Sequence, residues 1–313
     1  VETTKMTTTI QPKYPASYYD DIYIEVSDKS VAQEWKHIKK EDRGYSALYN
    51  TNKIINKYQS KEMFKHEIDM WNKNEDYHGK PLREWLYENR KFYINKGFGE
   101  LTKGEVIQGF RKSGIYRGKS YHSPFYIKQF IKDFNVKSIY DPCGGWGHRC
   151  LGAISIPDIT YIYNDINTAT YNNVKEMYKD MKQLDNSISD KIYFNNEDAA
   201  TFIPEQDYEA VFTCPPYFNQ EIYSDKGAEH LSKKDFLIWW KNAVDTATAK
   251  DSCKIFSFII SNKYKEKMMS VVDDAVFDFV KEQEIGSHTN NNHFQRKGNV
   301  SRNGEVLLIW EKK

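Results

Sequence analysis

Two segments of this chain carry residue types whose order could serve chemistry. In Asp141-Pro-Cys-Gly-Gly-Trp-Gly147 an acid is followed by glycines, and Gly145 and Gly147 let a backbone turn approach a ligand where side chains would collide. That leaves room for a nucleoside. In Thr213-Cys-Pro-Pro-Tyr-Phe218 the rigid prolines can aim a backbone carbonyl, that of Pro215, at one proton of an amine. The side chain of Cys214, or of Thr213 beside it, would face the other proton, and Tyr217 would stack on a planar base. A base amine is a poor nucleophile because its lone pair is conjugated into the ring; acceptors for both protons draw that pair out of the plane. Positioning then supplies most of the rate, and no covalent intermediate is needed.

Acids complete the pattern. Asp165 ends an apolar run about twenty residues after the glycines, where a ribose diol needs a bidentate acceptor. In Asn196-Glu-Asp198 a carboxylate can accept from an adenine amino group, with Asp198 preferred over Glu197. Each motif alone has a plainer reading: glycines tighten a strand-to-helix turn, Asp165 caps a helix, and consecutive prolines stop a chain. Their joint placement at one carboxyl edge of a sheet favours a site. The turn lacks the three-glycine spacing for a pyrophosphate, which disfavours a nicotinamide cofactor.

The elements that position these residues follow from periodicity. From residue 138 onward, β-branched and aromatic runs at 138–141, 160–165, 191–195, 210–214, 254–260, 277–284 and 305–310 alternate with helix-like stretches, clearest at 169–184 and 233–249. This predicts an α/β, Rossmann-like sheet of seven strands, the last two forming an antiparallel hairpin at its edge. Before residue 138 strand-like runs are scarce. Helices are expected at 30–40, 47–59, 61–73 and 81–95, with the tryptophans of this region in its core. The chain divides on this reading into a polar arm at 1–15, a mostly helical domain at 16–120 suited to target recognition, and a catalytic domain at 121–313.

With 313 residues and a formal net charge of +1, the chain can bury a large core and is no polycation, so any nucleic-acid contact needs a local basic surface. The loop between the last two strands offers Phe294, Arg296, Lys297 and Arg302 among amides, and Arg111, Lys112, Arg117 and Lys119 precede the sheet. A solvated polar surface explains both equally. Four cysteines without paired ligand spacing predict no metal site, and with no secretory signal a reducing cytoplasm is expected. No apolar run is long enough to cross a bilayer, so no membrane partner is expected.

At these residues the chain resembles the class I S-adenosylmethionine-dependent amino methyltransferases, the family of DNA N6-adenine and N4-cytosine enzymes. In that family an Asp-Pro-Phe-x-Gly-x-Gly segment binds the cofactor, an acid ending the second strand holds its ribose, and an Asp/Asn/Ser-Pro-Pro-Tyr segment is catalytic. Asp141, Gly145 and Gly147 match the first, with Cys143 for Phe; Asp165 matches the second; Cys214, Pro215, Pro216 and Tyr217 match the third except at its first position. The resemblance covers about 121–313 and implies S-adenosylmethionine as cofactor, covered by Phe125 of Tyr121-His-Ser-Pro-Phe125. It also implies a flipped base, adenine N6 in DNA first, near Phe218, Phe294 and Arg296. Cytosine N4, an RNA base, or an inactive cofactor-binding subunit beside a catalytic partner are the alternatives, and a homodimer is compatible with all of them. The departure is Cys214: a thiol is a weaker acceptor than a carboxylate, amide or hydroxyl. Thr213 or a water could replace it. A nucleophilic Cys214 is disfavoured, because the family using one places its cysteine after the prolines.

Overall fold

The computed structural model describes residues 23–45, 52–73, 122–216, 231–285 and 304–313, with the backbone alone for 66–73. Its strands are β1 (Ser138–Asp141), β2 (Thr160–Asn164), β3 (Ile192–Asn195), β4 (Ala210–Thr213), β5 (Ile255–Ser261), β6 (Phe277–Ile285) and β7 (Glu305–Lys312). They form one seven-stranded sheet in the order β3-β2-β1-β4-β5-β7-β6. β1 to β5 pair in parallel, and β7 runs antiparallel to both β5 and β6. This is the expected Rossmann-like sheet with a reversed last strand.

Burial explains why β7 enters the sheet and β6 takes the edge. Val306 to Trp310 are buried without a break, as a strand covered on both faces requires, whereas β6 exposes Asp278, Phe279 and Val280 and carries a register shift between Phe279 and Lys281. One face is filled by aromatics: Trp310 stacks on Phe258 at 5.3 Å, and Trp240 meets Phe258 edge-on at 5.1 Å.

The helices are α1 (Asp28–Lys40), α2 (Lys53–Lys73), α3 (Pro124–Phe134), α4 (His148–Ile154), α5 (Thr168–Leu184), α6 (Lys233–Ala247) and α7 (Lys265–Met269). Side-chain caps start several of them: Ser27 for α1, Ser123 for α3, Asn167 for α5 and Ser232 for α6. Two helices expected at 47–59 and 61–73 are one, α2, since no glycine or proline interrupts Gln59-Ser60-Lys61. The helix expected at 81–95 lies outside the described residues. Among the described residues no helix is long and apolar enough to cross a membrane.

The chain forms two compact units, one of Val1–Ile24 with Ser60–Lys119, the other of Glu25–Gln59 with Ser120–Lys313. The expected boundary at 120 is therefore corrected for 25–59, which fold with the sheet. The reason is a set of specific polar contacts. Trp35 Nε1 and Lys39 Nζ donate to Asp185 at 2.9 and 2.6 Å, Tyr58 donates to Asp180 at 2.8 Å, and Gln59 Nε2 donates to the Thr170 carbonyl at 3.2 Å. Glu34 accepts the backbone N–H groups of Lys53 and Ile54, so α1 caps the start of α2.

Candidate active site

The turn after β1 is built on a close approach. Gly144 N–H donates to the Asn164 carbonyl at 2.7 Å, and a Cβ at Gly144 would lie 2.1 Å from the Tyr163 ring. Tyr163 in turn donates to the Gly145 carbonyl at 2.7 Å. Gly145 has φ +60°, and a Cβ there would meet only an Arg149 nitrogen, at 4.0 Å. Gly144 thus serves packing, and Gly145 presents the open side of the turn to a ligand. Gly147 opens α4 in a left-handed conformation.

Asp141 has a different role from the one its motif suggested. It is 0% exposed and accepts from Arg149 Nε at 2.7 Å and Nη2 at 3.2 Å, from the Tyr161 hydroxyl at 2.7 Å and from Thr213 Oγ1 at 2.9 Å. Four donors satisfy a carboxylate. Asp141 is corrected from a cofactor ligand to a hub joining β1, β2, β4 and α4. Thr213 is spent in the same way: its hydroxyl also accepts the Cys143 N–H at 3.1 Å, so it does not face a substrate amine. Arg149 bridges this hub to the turn through the Cys143 carbonyl. Sequence reasoning missed Arg149; the signal was a cation one helical turn past the glycines.

Asp165 fits the ribose role. It is half-buried just beyond β2, and its two oxygens accept the N–H groups of Asn167 at 2.8 Å and Gly145 at 2.7 Å. Two donors leave lone pairs for a diol. Burial pushes its pKa up to about 6, against those two backbone bonds, so this carboxylate gains from further donors. Asn164 locks the loops around it, donating to the Pro142 and Glu197 carbonyls at 3.0 Å and accepting Glu197 N–H at 3.0 Å. Asp198 is half-buried, and Trp239 Nε1 and Ala200 N–H, at 2.8 and 2.9 Å, both donate to its Oδ1, which leaves Oδ2 for a ligand amine. Glu197 is exposed. The glycine turn, Asp165 and Asp198 are together a donor and acceptor set that fits a nucleoside.

Cys214, Pro215 and Pro216 leave β4 at the same edge, with Pro215 buried and the others half-buried. Cys214 Sγ lies 3.9 Å from His122 Nε2. His122 Nε2 is also 3.5 Å from Glu305 Oε2, and its Nδ1 is 3.2 Å from Arg149 Nη1. Burial lowers the His122 pKa, but Cys214 and Glu305 more than offset it and raise it to about 10. The Arg149 guanidinium can only donate, so Nδ1 accepts in that contact. The thiol of half-buried Cys143 is pushed well above its ordinary value by burial and by Asp165 and Asp141. His148, just past the turn, is pushed down to about 3 by burial, His122 and Arg149, and its Nε2 lies 3.2 Å from Asn52 Oδ1.

Phe125 is 1% exposed, with its ring edge-on to His37 of α1 at 6.1 Å and under the Arg43 guanidinium at 5.8 Å. Tyr217, Phe218, Phe294, Arg296, Lys297 and Arg302 lie outside the described residues, as do Arg111, Lys112, Arg117 and Lys119. Among the described residues no cluster of His, Cys, Asp and Glu could hold a metal.

No protein family matches the chain, and no curated protein does. Solved structures of similar fold include TrmN from Thermus thermophilus, 11% identical over 75% of this chain and 79% of that one, with a TM-score of 0.44. An S-adenosylmethionine-dependent methyltransferase from Clostridium acetobutylicum is 9% identical over 66% of this chain and 98% of its own, at 0.41. The N-methyltransferase NodS from Bradyrhizobium japonicum is 8% identical over 56% and 86%, at 0.38. The fold itself is read from the strand order and the reversed β7.

Proposed function

We propose that this chain transfers a methyl group from S-adenosylmethionine to the exocyclic amino group of a flipped base, adenine N6 in DNA. The observation that carries the reading is the bond from Cys143 N–H to Thr213 Oγ1, 3.1 Å, with Thr213 in turn donating to Asp141. It clamps the glycine turn after β1 to the Cys-Pro-Pro segment after β4, so a nucleoside on one and an amine on the other would meet at one sheet edge. The cofactor, when bound, supplies an electrophilic methyl group.

The chain's own residues do the rest. Asp165 takes the ribose hydroxyls and Asp198 the adenine amine of the cofactor. The Pro215 carbonyl and Cys214 Sγ accept the two protons of the target amine, and Tyr217 stacks on the base. Phe218, Phe294, Arg296, Lys297 and Arg302 would hold the displaced strand. The test is transfer from isotopically labelled S-adenosylmethionine to unmethylated genomic DNA and to total RNA, read by nucleoside mass spectrometry. Labelled N6-methyladenine in DNA is expected. Label in N4-methylcytosine or in RNA would move the acceptor and keep the chemistry. No label anywhere, with cofactor binding measured separately, would overturn the reading in favour of an inactive subunit.

A further inference from the structure

The departure at Cys214 is matched by a histidine placed to answer it. The sequence sets His122 just ahead of Ser123, whose Oγ accepts the Phe125 N–H at 3.2 Å and caps α3, while Pro124 opens that helix. This capped start holds the His122 ring, 8% exposed, between α4 and the first residue of β7. Arg149 Nη1, 3.2 Å away, requires Nδ1 to accept, so the ring proton sits on Nε2; in the imidazolium Nε2 is protonated as well. In either state an N–H is directed at Cys214 Sγ, 3.9 Å away, and at Glu305 Oε2, 3.5 Å away. Among the described residues, His148 of α4 also senses His122, and Tyr126 of α3 senses Glu305.

We propose that His122 is the positioning residue of the Cys-Pro-Pro segment: its Nε2–H donates to Cys214 Sγ and fixes where that sulfur faces, so that the cysteine accepts the target amine in the place of an oxygen acceptor. The proposal rests on the reading of the segment as amine-accepting. It accounts for three features together: Thr213 is turned inward, Cys214 stands where an oxygen acceptor is expected, and a buried donor points at its sulfur.

The test is alkylation by iodoacetamide near neutral pH in the full chain without cofactor or nucleic acid, with each cysteine followed by peptide mass spectrometry. Cys143, also half-buried, is the internal reference. Alkylation is expected to be faster at Cys214 than at Cys143, to fall about tenfold at Cys214 in His122→Leu, and to recover in His122→Gln, whose amide keeps an N–H donor. Equal Cys214 rates in the wild type and His122→Leu would overturn the pairing. Should His122→Leu not fold, Cys214→Ala leaves the ring in place: the imidazole Nε2 nitrogen resonance is expected to move, and an unmoved resonance overturns the proposal. A retained contrast with no methyl transfer to DNA or RNA would instead overturn the function proposed above and leave the pairing standing.

Discussion

Asp141 and Asp165 lie at the carboxyl ends of β1 and β2, one strand apart, and both fall where the motifs place a cofactor acid. Asp141 is 0% exposed and takes four hydrogen bonds from Arg149, Tyr161 and Thr213, whereas Asp165 is half-buried and takes two, both from backbone N–H groups. The difference lies in how many donors the fold supplies. A carboxylate saturated by its own protein can only hold strands together, while one left short is available to a ligand. Motif position selects the candidates, and donor supply separates the two roles.

The largest effect should come from breaking the saturated acid. Arg149→Met leaves Asp141 buried with Tyr161 and Thr213 as its remaining donors, and is expected to destabilise the fold by about 3–5 kcal/mol in urea denaturation. A loss below about 1 kcal/mol would mean that Asp141 is less dependent on its partner than the geometry says. Next in size, Asp165→Ala is expected to weaken cofactor binding about 100-fold in calorimetry, the loss of two charge-assisted hydrogen bonds, while the melting temperature shifts by only a few degrees. Reversal of the two outcomes would exchange the roles assigned here. Tyr217→Ala sharpens the contrast from the catalytic side: transfer should fall about 100-fold with cofactor affinity unchanged.

The glycines permit a finer version. Gly144→Ala forces a methyl into the Tyr163 ring, 2.1 Å from its position, and is expected to cost about 1–3 kcal/mol of stability. Gly145→Ala meets open space but keeps a left-handed φ of +60°, for about 1 kcal/mol, and its larger effect should fall on cofactor affinity. Thermal melts with and without cofactor distinguish the two.

The strands were legible because each is a short apolar run bounded by polar residues. Residues 138–141 are β1 as expected, and the others shift by one or two positions. What the sequence did not reveal depends on partners far along the chain. Trp35 and Gln59 find theirs 150 and 111 residues away, so that 25–59 belong to the sheet unit cannot be read locally. Thr213 was a candidate acceptor as the neighbour of Cys214, and only the pairing of β4 beside β1 shows that its hydroxyl is spent on Asp141. Phe125 was named through the resemblance, which puts an aromatic segment upstream of the glycine turn; its contact with His37 depends on α1 and is not legible locally. The Cys-Pro-Pro segment was found from its prolines, but the histidine beside it was not, because thiol and imidazole are 92 residues apart.

A last effect tests the available acid by pH alone. Burial raises Asp165 from its ordinary 3.8 to about 6. Between these values the folded chain holds a proton that the unfolded chain has released, so this group's contribution to stability is present at low pH and is lost as pH rises through about 6. Cofactor binding has the opposite slope, since a protonated Asp165 loses acceptors that the ribose hydroxyls need. Affinity is therefore expected to fall about tenfold when pH drops one unit below that value, and in Asp165→Asn this step should vanish, leaving a weak, flat profile. His148, held neutral with a pKa of about 3, acts on stability in the other direction: the unfolded chain takes up its proton first, so its contribution is lost as pH falls below the ordinary histidine value of 6.5. Calorimetric titrations of cofactor against pH, run beside melting curves, resolve these slopes. A cofactor affinity that tracks the melting curve in both wild type and Asp165→Asn would show that acid loosens the fold as a whole, and would remove the distinction between a saturated aspartate and an available one.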